Sequence, residues 1–376
     1  MIYYLIFLLI TLGAIFESFG IDKTALLGRR GTKYSWGSLC FTFFAFYLYC
    51  LIAFRDSSVA TDTTNYLSFF NHINTDADWE RGFIYLNVFV HNISSNAFWL
   101  LQIIVATTSC LTYYGHMKKR SLFPICTLFA FFMIGGSWRG QFEGMRQSMA
   151  ISILILGVRF IEQKSLIKWI MIIALAMQFH VTSCMAFPLY FTSRITIKPW
   201  FAFLLLVFSV WMTYFGLFII EPILNFTVML GILPARFARL VVGYMTSDFN
   251  EQAEFGTGLG YLLRAMFYFY MILLYKMSPL EDRKKCYMLN FLIAIILTAF
   301  ARNYNIFRRL VYYYDVSGLG LASYGLYAKQ NKFFRRLEWV QVVMLCLVLA
   351  FFIWTKLRGW TQSDMADYKT FLTTPW

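Results

Sequence analysis

A chain of 376 residues with 59% hydrophobic residues and only 14% charged ones is too apolar for a soluble domain of that length. Its apolar runs are long enough for helices across roughly 30 Å of hydrocarbon, and they lack the ten-residue alternation of an outer-membrane barrel. Composition therefore excludes a soluble enzyme and a β-barrel, and it predicts an all-α, polytopic integral membrane protein, one domain over residues 1–376.

About twelve hydrophobic segments follow in chain order: 1–19, 34–54, 96–114, 121–137, 147–161, 166–181, 182–195, 199–220, 259–276, 284–301, 307–328 and 337–355. The first lacks a basic leader and a small-residue cleavage site, so it reads as a retained helix. The stretch 166–195 is either one long helix or a tight hairpin, and only the hairpin gives the flanking loops consistent charge. All seven cysteines lie in or beside apolar runs, so neither a disulfide framework nor a thiolate metal site is expected.

Alternate connections differ in charge. The loops 20–33, 115–120, 159–168, 194–198, 276–285 and 329–336 carry twenty Lys/Arg with six acids beside them, whereas the other face holds thirteen of each sign. The whole formal charge of +14 thus lies on one face, which the positive-inside rule makes cytoplasmic. The long segments 55–95 and 221–258 are then external loops with amphipathic helices. External cations also differ in kind: eleven are Arg and two are Lys. A guanidinium is a planar, permanently charged fork that matches phosphate oxygens two at a time, so an outward site for a polyanion such as a diphosphate is expected. Membrane lipids are expected neighbours, and nucleic acid is not.

In the first external loop, "TDTTNYLSFF" places Asp62 at the start of an apolar stripe that includes Tyr66. Either Asp62 caps an interfacial helix or its carboxylate faces a ligand. "DWERGFIYLN" follows with Glu80 at the start of a second apolar face. "GGSWRGQFEGMRQSMA" carries Arg139 and then Arg146 and Gln147, which fall at a helix N-terminus already suited to anions. His180, in "AMQFHVTSC", sits at the turn of the proposed hairpin; a polar group there is expensive and marks function. Arg239 lies on an amphipathic stretch of the second loop, and "RNYNIFRRLVYYYD" brings Arg302, Arg309 and Tyr313 to the outer end of late segments.

These pieces, taken in order over residues 55–320, resemble the EpsG family of Wzy-type polysaccharide polymerases, which make O-antigen, capsule or exopolysaccharide. Two departures stand out. Ala60 occupies a place where family members often carry Gly, and the usual Arg-x-x-x-Tyr-Phe reads Arg309 to Tyr313 followed by Tyr314. The resemblance implies a GT-C-like glycosyltransferase of the bacterial inner membrane with its site facing outward. It would move a growing glycan from undecaprenyl diphosphate to a lipid-linked repeat unit. Undecaprenyl-diphosphate-linked oligosaccharide is the implied substrate and a Wzz-type chain-length regulator the implied partner; no metal or cofactor is called for. Arg146, Arg309 and Arg139 are candidates for the diphosphate, with Arg302, Arg239, Tyr66, Gln147 and Tyr313 around the substrate. Glu80, Asp62 and His180 compete for the role of base. An O-antigen ligase-like enzyme and a flippase of lipid-linked sugars are the rival readings.

Overall fold

The computed structural model of the protein describes residues 2–18, 36–77, 79–121, 124–134, 137–231, 268–269, 271–273, 275–276, 287–300, 309–314 and 369–372. Regular structure among them is helical throughout, apart from one antiparallel bridge between Arg55 and Thr370. The helices are α1 (Ile2–Ser18), α2 (Trp36–Ala53), α3 (Thr61–Asn71), α4 (Arg81–Ile93), α5 (Phe98–Arg120), α6 (Pro124–Ile134), α7 (Ser137–Glu143), α8 (Met145–Glu162), α9 (Leu166–Met177), a 3-10 turn (Val181–Ala186), α10 (Leu189–Thr192), α11 (Pro199–Met229) and α12 (Met288–Phe300).

Helix α8 is central: it packs between α5 and α9, and α2 lies against α5 on the far side. Helices α1 and α6 pair beside α2, and α11 pairs with α12. A large apolar core runs through these helices. A smaller one, built from Tyr66, Phe70, Phe83, Val90, Phe98, Leu101, Val105, Met145 and Met149, seats α3 and α4 on the starts of α5 and α8. Helix α4 has two faces: Phe83, Ile84, Asn87 and Val90 turn inward while Tyr85, Phe89 and Ile93 stay exposed. A short helix with apolar groups on both sides suits a membrane interface.

Residues 166–195 form a hairpin. Helix α9 has 12 residues, about 18 Å, against the roughly 30 Å of hydrocarbon. The chain reverses at His180, and the Tyr190 hydroxyl donates to the Lys164 carbonyl at 2.7 Å, back beside the start of α9. Helix α11 runs on through Pro222 to Met229, past the expected end of that segment at 220; beyond Pro222 the residues are again mostly apolar, with Asn225 and Thr227 the exceptions.

No helix among the described residues is long and apolar enough to cross a membrane. The outer faces nevertheless expose Leu111, Leu156, Ile167, Met171, Trp200, Phe203 and Trp211, far more large apolar surface than a water-facing monomer shows. The segments 337–355 and 232–267 lie outside the described residues.

Candidate active site

Glu80 is the N-cap residue of α4, yet its side chain makes no capping hydrogen bond to that helix. Its carboxylate is directed across the molecule instead. One oxygen takes the Arg146 guanidinium at 2.7 Å; the other takes His180 Nδ1 at 3.2 Å and the Val181 backbone N–H at 3.1 Å. Burial alone would raise this carboxyl. The hydrogen bond from His180, the Arg146 charge and the Val181 N–H outweigh burial and hold the pKa at about 2, against an ordinary 4.5. Glu80 is therefore a fixed anion with its lone pairs engaged.

Gly82 makes this reach possible. Its N–H donates to the Gln178 carbonyl at 2.8 Å, and a Cβ there would stand 2.7 Å from that same oxygen. Only glycine lets the start of α4 dock on the end of α9, two residues from Glu80 on one segment and two from His180 on the other.

A carboxylate only accepts hydrogen bonds, so His180 Nδ1 carries a proton and donates to Glu80, which in the neutral tautomer leaves the lone pair on Nε2. That Nε2 is buried and makes no hydrogen bond among the described residues. Arg146 Nε is in the same state. The 3-10 turn carrying His180 is fastened from the opposite side, where Thr182 shares a 2.7 Å hydrogen bond with the Tyr313 hydroxyl and the Tyr314 hydroxyl donates to the Met185 carbonyl at 3.2 Å.

Arg146 stands at the second residue of α8. Its guanidinium lies 4.7 Å from the Trp79 ring centroid, and Trp79 is stacked on Phe69 at 4.1 Å. A flat cation against an indole is attracted by the ring quadrupole, so aromatic contact and the Glu80 ion pair fix its orientation together. Tyr66 meets Trp79 and Phe83 edge-on, each at 5.6 Å. Burial pushes the Tyr66 hydroxyl up in pKa; Arg146 and Arg309 oppose that, and Asp62 adds to it. The charges of Asp62, Arg146 and Arg309 thus all bear on the Tyr66 hydroxyl.

Asp62 falls in the first turn of α3, which is capped by Ala60 without a side-chain hydrogen bond. Of the two readings open for Asp62, the N-cap is not met, since Ala60 holds that position. Arg309 is exposed, and its carbonyl accepts from Gln147 Nε2 at 2.7 Å. Tyr313 is buried with its hydroxyl on Thr182, so it braces the His180 turn. Arg139 lies on α7 with its side chain outside the described residues; Arg239 and Arg302 lie outside them altogether. Gly82 and Thr182 are supporting residues that the sequence reading missed; Trp79 was legible only as part of an apolar face, and Tyr314 only as the residue after Tyr313 in the family pattern.

The model of one known family, described as the EpsG family, matches residues 38–370, nearly the whole chain. The chain belongs to the EpsG family. No curated protein and no solved structure matches it. EpsG proteins are membrane polymerases of polysaccharide biosynthesis, glycosyltransferase-like in activity. The matched region contains Glu80, Arg146, His180 and Arg309.

Proposed function

We propose that this EpsG-family protein is a polysaccharide polymerase of the bacterial inner membrane. It transfers a growing glycan from undecaprenyl diphosphate to a lipid-linked repeat unit at the outer leaflet. The observation that carries this reading is the bridge of Glu80 between Arg146 and His180, which leaves one buried donor and one buried acceptor open on either side. Glycosyl transfer from a diphosphate needs that pair: a base for the incoming hydroxyl and a cation for the departing anion.

In this scheme the acceptor hydroxyl gives its proton to His180 Nε2 as its oxygen attacks the anomeric carbon of the donor. The bond from that carbon to the diphosphate oxygen breaks, and the electron pair leaves on the diphosphate. Arg146 and Arg309 receive the growing negative charge. Glu80 does not take the proton, because three donors already hold it as a carboxylate. It orients His180 and stabilises the imidazolium. Asp62 acts by its charge on Tyr66 rather than as the base. Because guanidinium groups supply the charge, the chemistry requires no metal. Both open atoms lie below the protein surface, so α3 and α4 act as a cover that opens for the sugars.

The test is reconstitution of the purified protein with synthetic diphosphate-linked repeat units. A product ladder is the expected result. Transfer only to a foreign acceptor would instead make it a ligase, and movement of intact lipid-linked sugar with no new bond would make it a flippase.

A further inference from the structure

We infer that residues 369–372 form a strap that positions the external site, with Phe371 as its anchor; the effect on turnover rests on the polymerase reading above. Late in the sequence, the chain pairs with the three residues that lead out of α2. The Asp56 N–H donates to the Lys369 carbonyl at 2.8 Å, the Phe371 N–H donates to the Phe54 carbonyl at 3.3 Å, and Arg55 faces Thr370 in an antiparallel bridge. A pairing this short does not hold by itself in water. Phe371 supplies the grip. It is buried at 9% exposure, edge-on to Phe54 at 5.9 Å and beside Trp99, near the start of α5, at 6.3 Å.

What the strap holds is the common root of two walls of the site. Arg55 is 1% exposed; its guanidinium donates to the Ile52 carbonyl and lies 5.9 Å from the ring centroid of Phe142 on α7. Four residues beyond Phe142 stands Arg146. In the other direction the chain leaves Arg55 through buried Val59 and Ala60 into α3, which carries Asp62 and Tyr66. A shift of residues 54–56 therefore moves the Arg146 side and the Tyr66 side together, and displacements near 1 Å at such constellations cost rate steeply. The ring contacts of Phe371 are with Phe54 and Trp99, outside the Glu80 cluster, so its effect on that cluster is that of a positioning residue.

The test compares the full chain, Phe371→Ala, Phe371→Leu and a chain lacking residues 366–376, the last with and without a synthetic peptide of those residues. Two readouts are followed: hydrogen exchange at the Asp56 amide, and kcat and KM for chain extension. In Phe371→Ala, Asp56 exchange should rise at least about tenfold and kcat fall about ten- to a hundredfold, with KM within about twofold. Phe371→Leu should keep most of the rate, and the peptide should restore both readouts to the shortened chain. Rapid Asp56 exchange in the intact protein would overturn the strap. Wild-type kcat in Phe371→Ala despite raised exchange would overturn its positioning role. Absence of polymer from the intact chain would instead sink the polymerase reading, with exchange and peptide rescue then deciding the strap alone.

Discussion

Arg146 makes an ion pair to Glu80 and an aromatic contact with Trp79, and its Nε has no hydrogen bond among the described residues. Its fork matters as much as its charge, so Arg146→Lys should not rescue it. Loss of one transition-state contact costs on the order of 3 kcal/mol, and Arg146→Ala should lower turnover about a hundredfold or more; a normal rate in well-expressed Arg146→Ala would refute the assignment. Glu80 makes a second prediction, on stability. Its folded pKa lies at about 2, below the ordinary 4.5. The folded state therefore binds this proton more weakly than the unfolded chain does, and the stabilisation is complete well above pH 4.5 and fades as pH falls toward 2. Thermal unfolding in detergent should show wild type ahead of Glu80→Gln near about pH 6, with the gap closing as pH drops below about 4. A gap independent of pH would mean that the carboxylate is not held as described.

At the scale of elements, the entry to α3 shows what the sequence could and could not say. Ala60 has φ 76 and ψ 130, a region that L residues with a Cβ enter at a cost of about 1–3 kcal/mol. That is a physical reason for glycine to be usual there, and the anomaly was visible as a residue but not as a strain. Ala60→Gly should be neutral or stabilising by about 1 kcal/mol, relief of strain offsetting the lost methyl and the added chain entropy. Ala60→Val should destabilise, since a β-branched residue tolerates positive φ poorly; melting temperatures of the two variants should move apart. At the other junction, Gly82→Ala would force α4 off Gln178, and it should cost about 1–3 kcal/mol of stability as well as most of the activity. Glu80, Arg146 and His180 could be picked from sequence because a charged or polar group amid apolar residues is expensive. Their mutual bonds could not, because Glu80 and His180 are 100 residues apart and only tertiary packing decides which atoms meet. The same holds for the division of labour among the three candidate bases, which depends on how many donors each already accepts.

For the whole molecule, the charge alternation becomes a statement about which connections meet. Arg120 and Glu162 form an ion pair at 2.6 Å, and the Tyr287 hydroxyl donates to the same carboxylate at 2.9 Å. Three stretches at or beside connections given to the cytoplasm by their Lys/Arg excess thus join in one cluster. Residues given to the other face converge elsewhere: Arg55 with Thr370, Glu80 with Arg146 and His180, Gln147 with Arg309. The hairpin at 166–195 is the pivot of this parity. Had those residues formed one span, every later connection would change sides, and Lys164 could not meet Tyr190. The two clusters sit toward opposite ends of α8, with Arg146 and Glu162 some 24 Å apart along its axis, so an impermeant reagent can tell the two ends apart. With the seven native cysteines replaced, Ser95→Cys and Gln163→Cys, both at exposed positions, serve as probes. A membrane-impermeant maleimide applied to intact cells should label position 95 and leave 163 untouched until the membrane is permeabilised. The reverse pattern would put the Glu80 cluster in the cytosol, where a lipid-linked unit already carried to the outer leaflet could not reach it.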